Sequence, residues 1–110
     1  MTEKEKKFLS DIVNSIELIE SFLVGINSFD QYAKDQKTKG AVERHLGIIG
    51  EAVNKFLKES TLNDLKQAMQ IISLRNRLIH SYDNIDDSII WAIITRKIKP
   101  LKKEVQNKLK

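Results

Sequence analysis

Residues 37–58 read KTKGAVERHLGIIGEAVNKFLK, and within them Val42, Leu46, Ile49, Val53, Phe56 and Leu57 follow the alternating four-three spacing of a buried helical seam. A half-buried strand would alternate every second residue, so the stretch predicts a helix packed nearly parallel or antiparallel to a neighbour. Gly47 and Gly50 on that helix are expected to permit close approach. Upstream, Thr2 with Glu5 makes a capping-box start, and Phe8, Ile12, Ile16, Ile19, Leu23 and Ile26 trace one stripe of a long first helix ending near residue 26 or 27. Ser28 with Gln31 repeats the start signal for a short helix over residues 29–34, followed by a polar break at residues 35–39.

Downstream, the polar link at residues 59–63 leads to a fourth helix with Leu65, Met69 and Ile72 on one stripe, Ala68 and Ile71 on the adjoining one, and an end near His80. Residues 81–87 read as a turn in which Asp86 or Asp87 caps a fifth helix that begins with Ile89, Ile90 and Trp91. Its stripe of Ile94, Ile98, Leu101, Val105 and Leu109 crosses Pro100, which lacks an amide donor and is predicted to kink or interrupt the helix. The whole pattern predicts an all-α, up-and-down bundle of four to five helices, forming one domain over residues 1–110.

Composition narrows the function. With 41% apolar and 31% charged residues in 110, the chain carries enough carbon for a core and too little length for two domains. The absence of cysteine excludes a disulfide scaffold, cysteine-ligated zinc and a thiol nucleophile. The longest apolar run, residues 89–94, is far short of the roughly 20 needed to span a bilayer, so no membrane role is expected. The mixed charges of residues 3–7 precede a stretch too polar for a signal peptide, and a cytoplasmic protein is expected. The net charge of +4 is unevenly placed: residues 1–95 hold 12 Lys/Arg against 14 Asp/Glu, whereas in residues 96–110 Arg96, Lys97, Lys99, Lys102, Lys103, Lys108 and Lys110 face only Glu104. Such an excess either attracts phosphate at low salt or is simply a solvated helical face.

The fourth helix breaks its own pattern. The stripe of Leu65, Met69 and Ile72 calls for carbon at position 76 and finds Asn76; that of Ala68 and Ile71 calls for it at 75 and finds Arg75. An unpaired guanidinium or amide costs several kcal/mol to bury, so these groups are expected to be paired, to face a cleft or to lie at an interface. His80 follows Asn76 at i+4, and Arg75 and Tyr82 are i and i+7, so one helix end presents a fixed cation, an amide, an imidazole and a phenol. An imidazole moves a proton near neutral pH and a guanidinium neutralises charge on phosphate oxygens, which suits phosphoryl chemistry. The same residues also fit a helix-end histidine on the dipole and a structural ion pair.

The run R75-N-R-L-I-H80-S-Y82 resembles the signature of the HepT-like branch of the HEPN superfamily, which is Arg, four to six residues, His, any residue, Tyr. The resemblance extends over the whole chain, through the IIGEA segment at residues 48–52 and the YDNID and IIW segments after the signature. Asp83 departs from it, where an aromatic is more usual, as does the lack of a Pro or Trp lead into the fourth helix.

The resemblance implies a dimeric, metal-independent endoribonuclease toxin that needs no cofactor. It would cut RNA, whether tRNA or mRNA. It implies that His80 acts as general acid or base around attack of the ribose 2′-hydroxyl, that Arg75 holds the scissile phosphate, and that Asn76 helps position them. It further implies a partner, a minimal nucleotidyltransferase antitoxin of the MntA type that silences the toxin by adding AMP to Tyr82. Two rival readings remain: a non-catalytic helical module that binds a nucleotidyltransferase, and a structural bundle in which Arg75 and His80 form buried pairs.

Other candidates carry less. His45 has no second ligand at metal spacing and reads as a helix-surface or core-edge residue. Glu43 and Glu51 read as surface charges more readily than as a catalytic carboxylate pair, and Asp83, Asp86 and Asp87 as capping residues more readily than as a divalent-ion site. Trp91, in a run apolar on all sides, is expected to pack against both the bundle and a second subunit.

Overall fold

The computed structural model describes residues 1–60, 64–68, 71–73 and 86–110, and among these residues every regular element is helical. Helix α1 spans Glu3–Phe22, α2 Phe29–Lys34, α3 Gln36–Glu59, α4 Asp87–Arg96 and α5 Ile98–Leu109, and residues 71–73 are helical as well. The all-α bundle is therefore the fold.

Helix starts follow the local chemistry of the sequence. Thr2 Oγ1 accepts from the Glu5 amide at 3.1 Å, Ser28 Oγ from the Gln31 amide at 3.2 Å, and Asp86 Oδ1 from the Ser88 amide at 2.8 Å, each satisfying a donor that the first helical turn leaves open. Asp35 serves two elements at once. Its amide donates to the Tyr32 carbonyl to close α2, and its carboxylate accepts from the Thr38 amide and hydroxyl to open α3. These bonds hold its carboxyl below the usual aspartate range. The polar break expected over residues 35–39 thus contracts to one residue.

Helix ends depart further from expectation. The first helix stops at Phe22, not near residue 26, because Gly25 takes a positive φ of 87° that turns the chain. Leu23 and Ile26 still pack on the core from outside the helix, which is why the apolar spacing runs on past its end. The stripe also begins on Leu9, fully buried, with Phe8 only half-buried beside it. Residues 64–68 are a turn in place of the first helical turn expected there, though Leu65, Ala68 and Ile71 are buried as the spacing demands.

Helix α3 is the central element. Val42, Leu46, Ile49, Val53 and Phe56 are fully buried against Leu9, Ile12, Ile16 and Ile19 of α1, each worth roughly 1.5–3 kcal/mol by burial. Lys4 meets Glu59 at 2.9 Å while Ser15 meets His45, so α1 and α3 run antiparallel. Gly50 is buried, but a Cβ built on Gly47 meets nothing within 4 Å. Gly47 therefore has no part in a close approach, contrary to the sequence expectation.

Pro100 acts as expected, and its position explains the geometry. The break falls at Lys97, whose amide closes α4 on the Ile93 carbonyl at 2.8 Å, so that Pro100 enters the first turn of α5, where a missing donor costs nothing. Ile98, Leu101 and Val105 bury the inner face of α5.

Candidate functional site

Arg75, Asn76, His80 and Tyr82 all lie outside the described residues, and so does Asp83. The structure describes what flanks them in sequence. On the upstream side, Glu104 of α5 reaches across 38 positions: Oε2 accepts from the Lys66 amide at 3.0 Å and Oε1 from the Gln67 amide at 3.1 Å. Both oxygens of one carboxylate thereby fix a turn eight residues ahead of Arg75. The lone acid among the C-terminal cations is a tether, a role that sequence spacing gives no means of finding.

On the downstream side, Asp86 caps α4 and is held below the usual carboxylate range by its bonds to Ser88. Asp87 turns inward instead. Its Oδ2 lies 2.7 Å from Lys39 Nζ of α3, with both side chains mostly buried. Near this pair sits Glu43, whose carboxyl is pushed up by burial and by the charge of Asp87, with Lys39 opposing. Fully buried Tyr32 completes the group: its ring stacks on Trp91 of α4 at 5.5 Å, and burial and the charges of Glu43 and Asp87 push its hydroxyl far above the usual phenol range. That hydroxyl has no hydrogen-bond partner among the described residues.

This cluster joins α2 and α3 to α4, the helix that follows the signature in sequence. It bears on two further expectations. Glu43 is half-buried and feels the charges of Asp87 and Lys39, while Glu51 is exposed and pairs with Lys55 at 3.2 Å, so the two glutamates stand in separate surroundings. Trp91 is half-buried against Tyr32 of its own chain. Its neighbour Ile89 remains 38% exposed.

His45 sits at the core edge, as its surroundings in the sequence suggested. Its Nδ1 is 3.3 Å from Ser15 Oγ, its ring lies 5.5 Å from that of Phe22, and burial with the nearby Arg44 charge lowers its pKa. Among the described residues, no group of three His, Cys, Asp or Glu side chains is placed to hold a metal ion.

Among the described residues the chain is an all-helical bundle, and the family comparison agrees with that fold. The family described as Ribonuclease HepT-like matches residues 12–107. The chain belongs to the HepT-like ribonuclease family. Relatives at full length carry corresponding names: it is 35% identical to "Probable ribonuclease HepT" of Thermococcus cleftensis over 93% of each chain. It is 38% identical to a "Putative RNase" of Methanocaldococcus jannaschii over 96% of this chain and 87% of the relative. No solved structure matches it significantly. Among the described residues, no helix is long and apolar enough to cross a membrane.

Proposed function

We propose that this family member is a metal-independent endoribonuclease toxin, acting in the cytoplasm as a homodimer of one 110-residue helical domain. The observation that carries the reading is the run R75-N-R-L-I-H80-S-Y82 inside a chain of the HepT-like ribonuclease family. In the reaction the ribose 2′-oxygen bonds to the adjacent phosphorus as the 5′-oxygen of the next nucleotide leaves. The products are a 2′,3′-cyclic phosphate and a 5′-hydroxyl. His80 is the general acid or base for the protons that these oxygens lose and gain, Arg75 stabilises the charge on the phosphate oxygens, and Asn76 positions both.

Inhibition follows from the same chemistry of charge. A cognate minimal nucleotidyltransferase transfers AMP from ATP to the Tyr82 hydroxyl, releasing pyrophosphate, and the added anion and bulk oppose RNA phosphates at the site. Two experiments test this. Cleavage of RNA in excess chelator is expected to leave 5′-hydroxyl ends, and 5′-phosphate ends or a need for added magnesium overturn the mechanism. Intact mass after incubation with the partner and ATP is expected to show AMP on the wild type and none on Tyr82→Phe, and equal labelling of both removes Tyr82.

A further inference from the structure

The structure divides the C-terminal cations into two kinds. Lys102 is structural: its Nζ lies 2.8 Å from Glu20 and 3.7 Å from Glu17, and these bonds, that to Glu20 foremost, raise its pKa while pinning α5 to α1. Arg96, Lys97, Lys99, Lys103, Lys108 and Lys110 form no ion pair among the described residues. Of these, Lys99 and Lys103, with Gln106 after them, follow a spacing of four and three on one exposed face of α5, turned away from buried Ile98, Leu101 and Val105, and Lys110, exposed at the cap just past the helix, continues the same spacing by four.

Helix stability accounts for a cation at the C-terminal cap, where Lys110 stands, and not for the start of this row. Lys99 stands in the first turn of α5, where the helix dipole disfavours a cation and no acid is present to offset it. Elsewhere the exposed faces mix signs, as in the Lys6–Glu3 and Lys7–Asp11 pairs of α1. The row extends about 16 Å at the helical rise, a length over which a nucleic-acid strand presents several phosphates. The same helix, through Glu104, grips the turn eight residues ahead of Arg75.

We infer that the Lys99–Lys103–Lys110 face of α5 is a docking track for the RNA sugar-phosphate backbone, separate from the residues that cut. The inference rests on the ribonuclease reading for the identity of its polyanion. It is sequence-independent, so it sets affinity and leaves the chemical step alone.

The test compares wild type with Lys99→Gln/Lys103→Gln/Lys110→Gln, and with Lys34→Gln/Lys37→Gln/Lys58→Gln, which removes the same charge from exposed positions elsewhere. Binding of a labelled 20-nucleotide RNA is followed by fluorescence anisotropy across salt concentrations, alongside cleavage rates. Three lost phosphate contacts are expected to lower the salt slope by about 2, which is a loss of about 100-fold in affinity at 0.1 M salt that closes as salt approaches 1 M. KM for RNA should rise and kcat should hold. An unchanged slope in the α5 variant, or an equal fall in the control variant, overturns the track even where wild type cleaves RNA. If wild type binds RNA with the expected slope difference yet cuts none, the track stands and the ribonuclease reading falls. Tight binding to an acidic protein with no RNA binding overturns the track.

Discussion

Replacing Glu104 by Ala removes both acceptors that hold the turn at Lys66 and Gln67. Hydrogen bonds to a charged acceptor contribute about 1.5–3 kcal/mol when shielded, and these two are solvent-exposed, so about 1 kcal/mol each is a reasonable magnitude. The two bonds together give about 2 kcal/mol, of which the better helix propensity of Ala at this mid-helix site returns about 0.4. Glu104→Gln keeps one neutral oxygen acceptor and should lose about half as much. Urea unfolding followed by circular dichroism reads the difference, with Tm expected to fall by roughly 6 °C for Glu104→Ala. Amide hydrogen exchange supplies the local readout: the Lys66 and Gln67 amides should exchange about tenfold faster in the variant, while that of Phe56, deep in α3, follows global stability alone. Wild-type stability together with unchanged exchange at residues 66 and 67 would refute the tether.

Further outcomes follow from the same structure. Gly47→Ala should stabilise the protein by about 1 kcal/mol, since the helix interior favours Ala and a Cβ meets open space, whereas Gly25→Ala should destabilise it by a similar amount because of its positive φ; thermal unfolding of the pair checks both signs. Glu43→Gln should stabilise the fold at pH 7. The folded state holds the Glu43 proton more tightly than the ordinary value of 4.5, so the wild type is penalised as pH rises through the raised pKa, and the advantage of the variant should vanish below pH 4.5. A gain that is flat with pH, or that grows on acidification, contradicts the burial of that carboxyl beside Asp87.

The parts of the fold legible in the sequence are those fixed by neighbours within a few residues. Thr2, Ser28 and Asp86 cap helices because a side-chain oxygen reaches an amide two or three positions on, and Pro100 breaks a helix through its own ring. Apolar spacing tracked contact with the core, missing by one position at Phe8 and Leu9, and for that reason overran the helix at Leu23 and Ile26, which reach the core without being helical. Contacts made across the chain left no local trace. Glu104 meets a turn 38 positions earlier, and Lys39 pairs with Asp87 from another helix, so neither the turn at residues 66–67 nor the polar cluster around Tyr32 could be read from spacing. The candidate catalytic residues were legible in the opposite way, as polar groups in an apolar register at 75 and 76 and as a signature with its His and Tyr. That signal is chemical and says nothing of distances.

The most direct test of the account is the rate at which purified wild type and His80→Ala cut a labelled RNA in chelator, with matched far-ultraviolet circular dichroism for the two proteins. Loss of the proton-transfer group predicts a fall of about 10²–10⁴-fold with binding retained. Equal rates in the two proteins would contradict the assignment of the chemistry to His80.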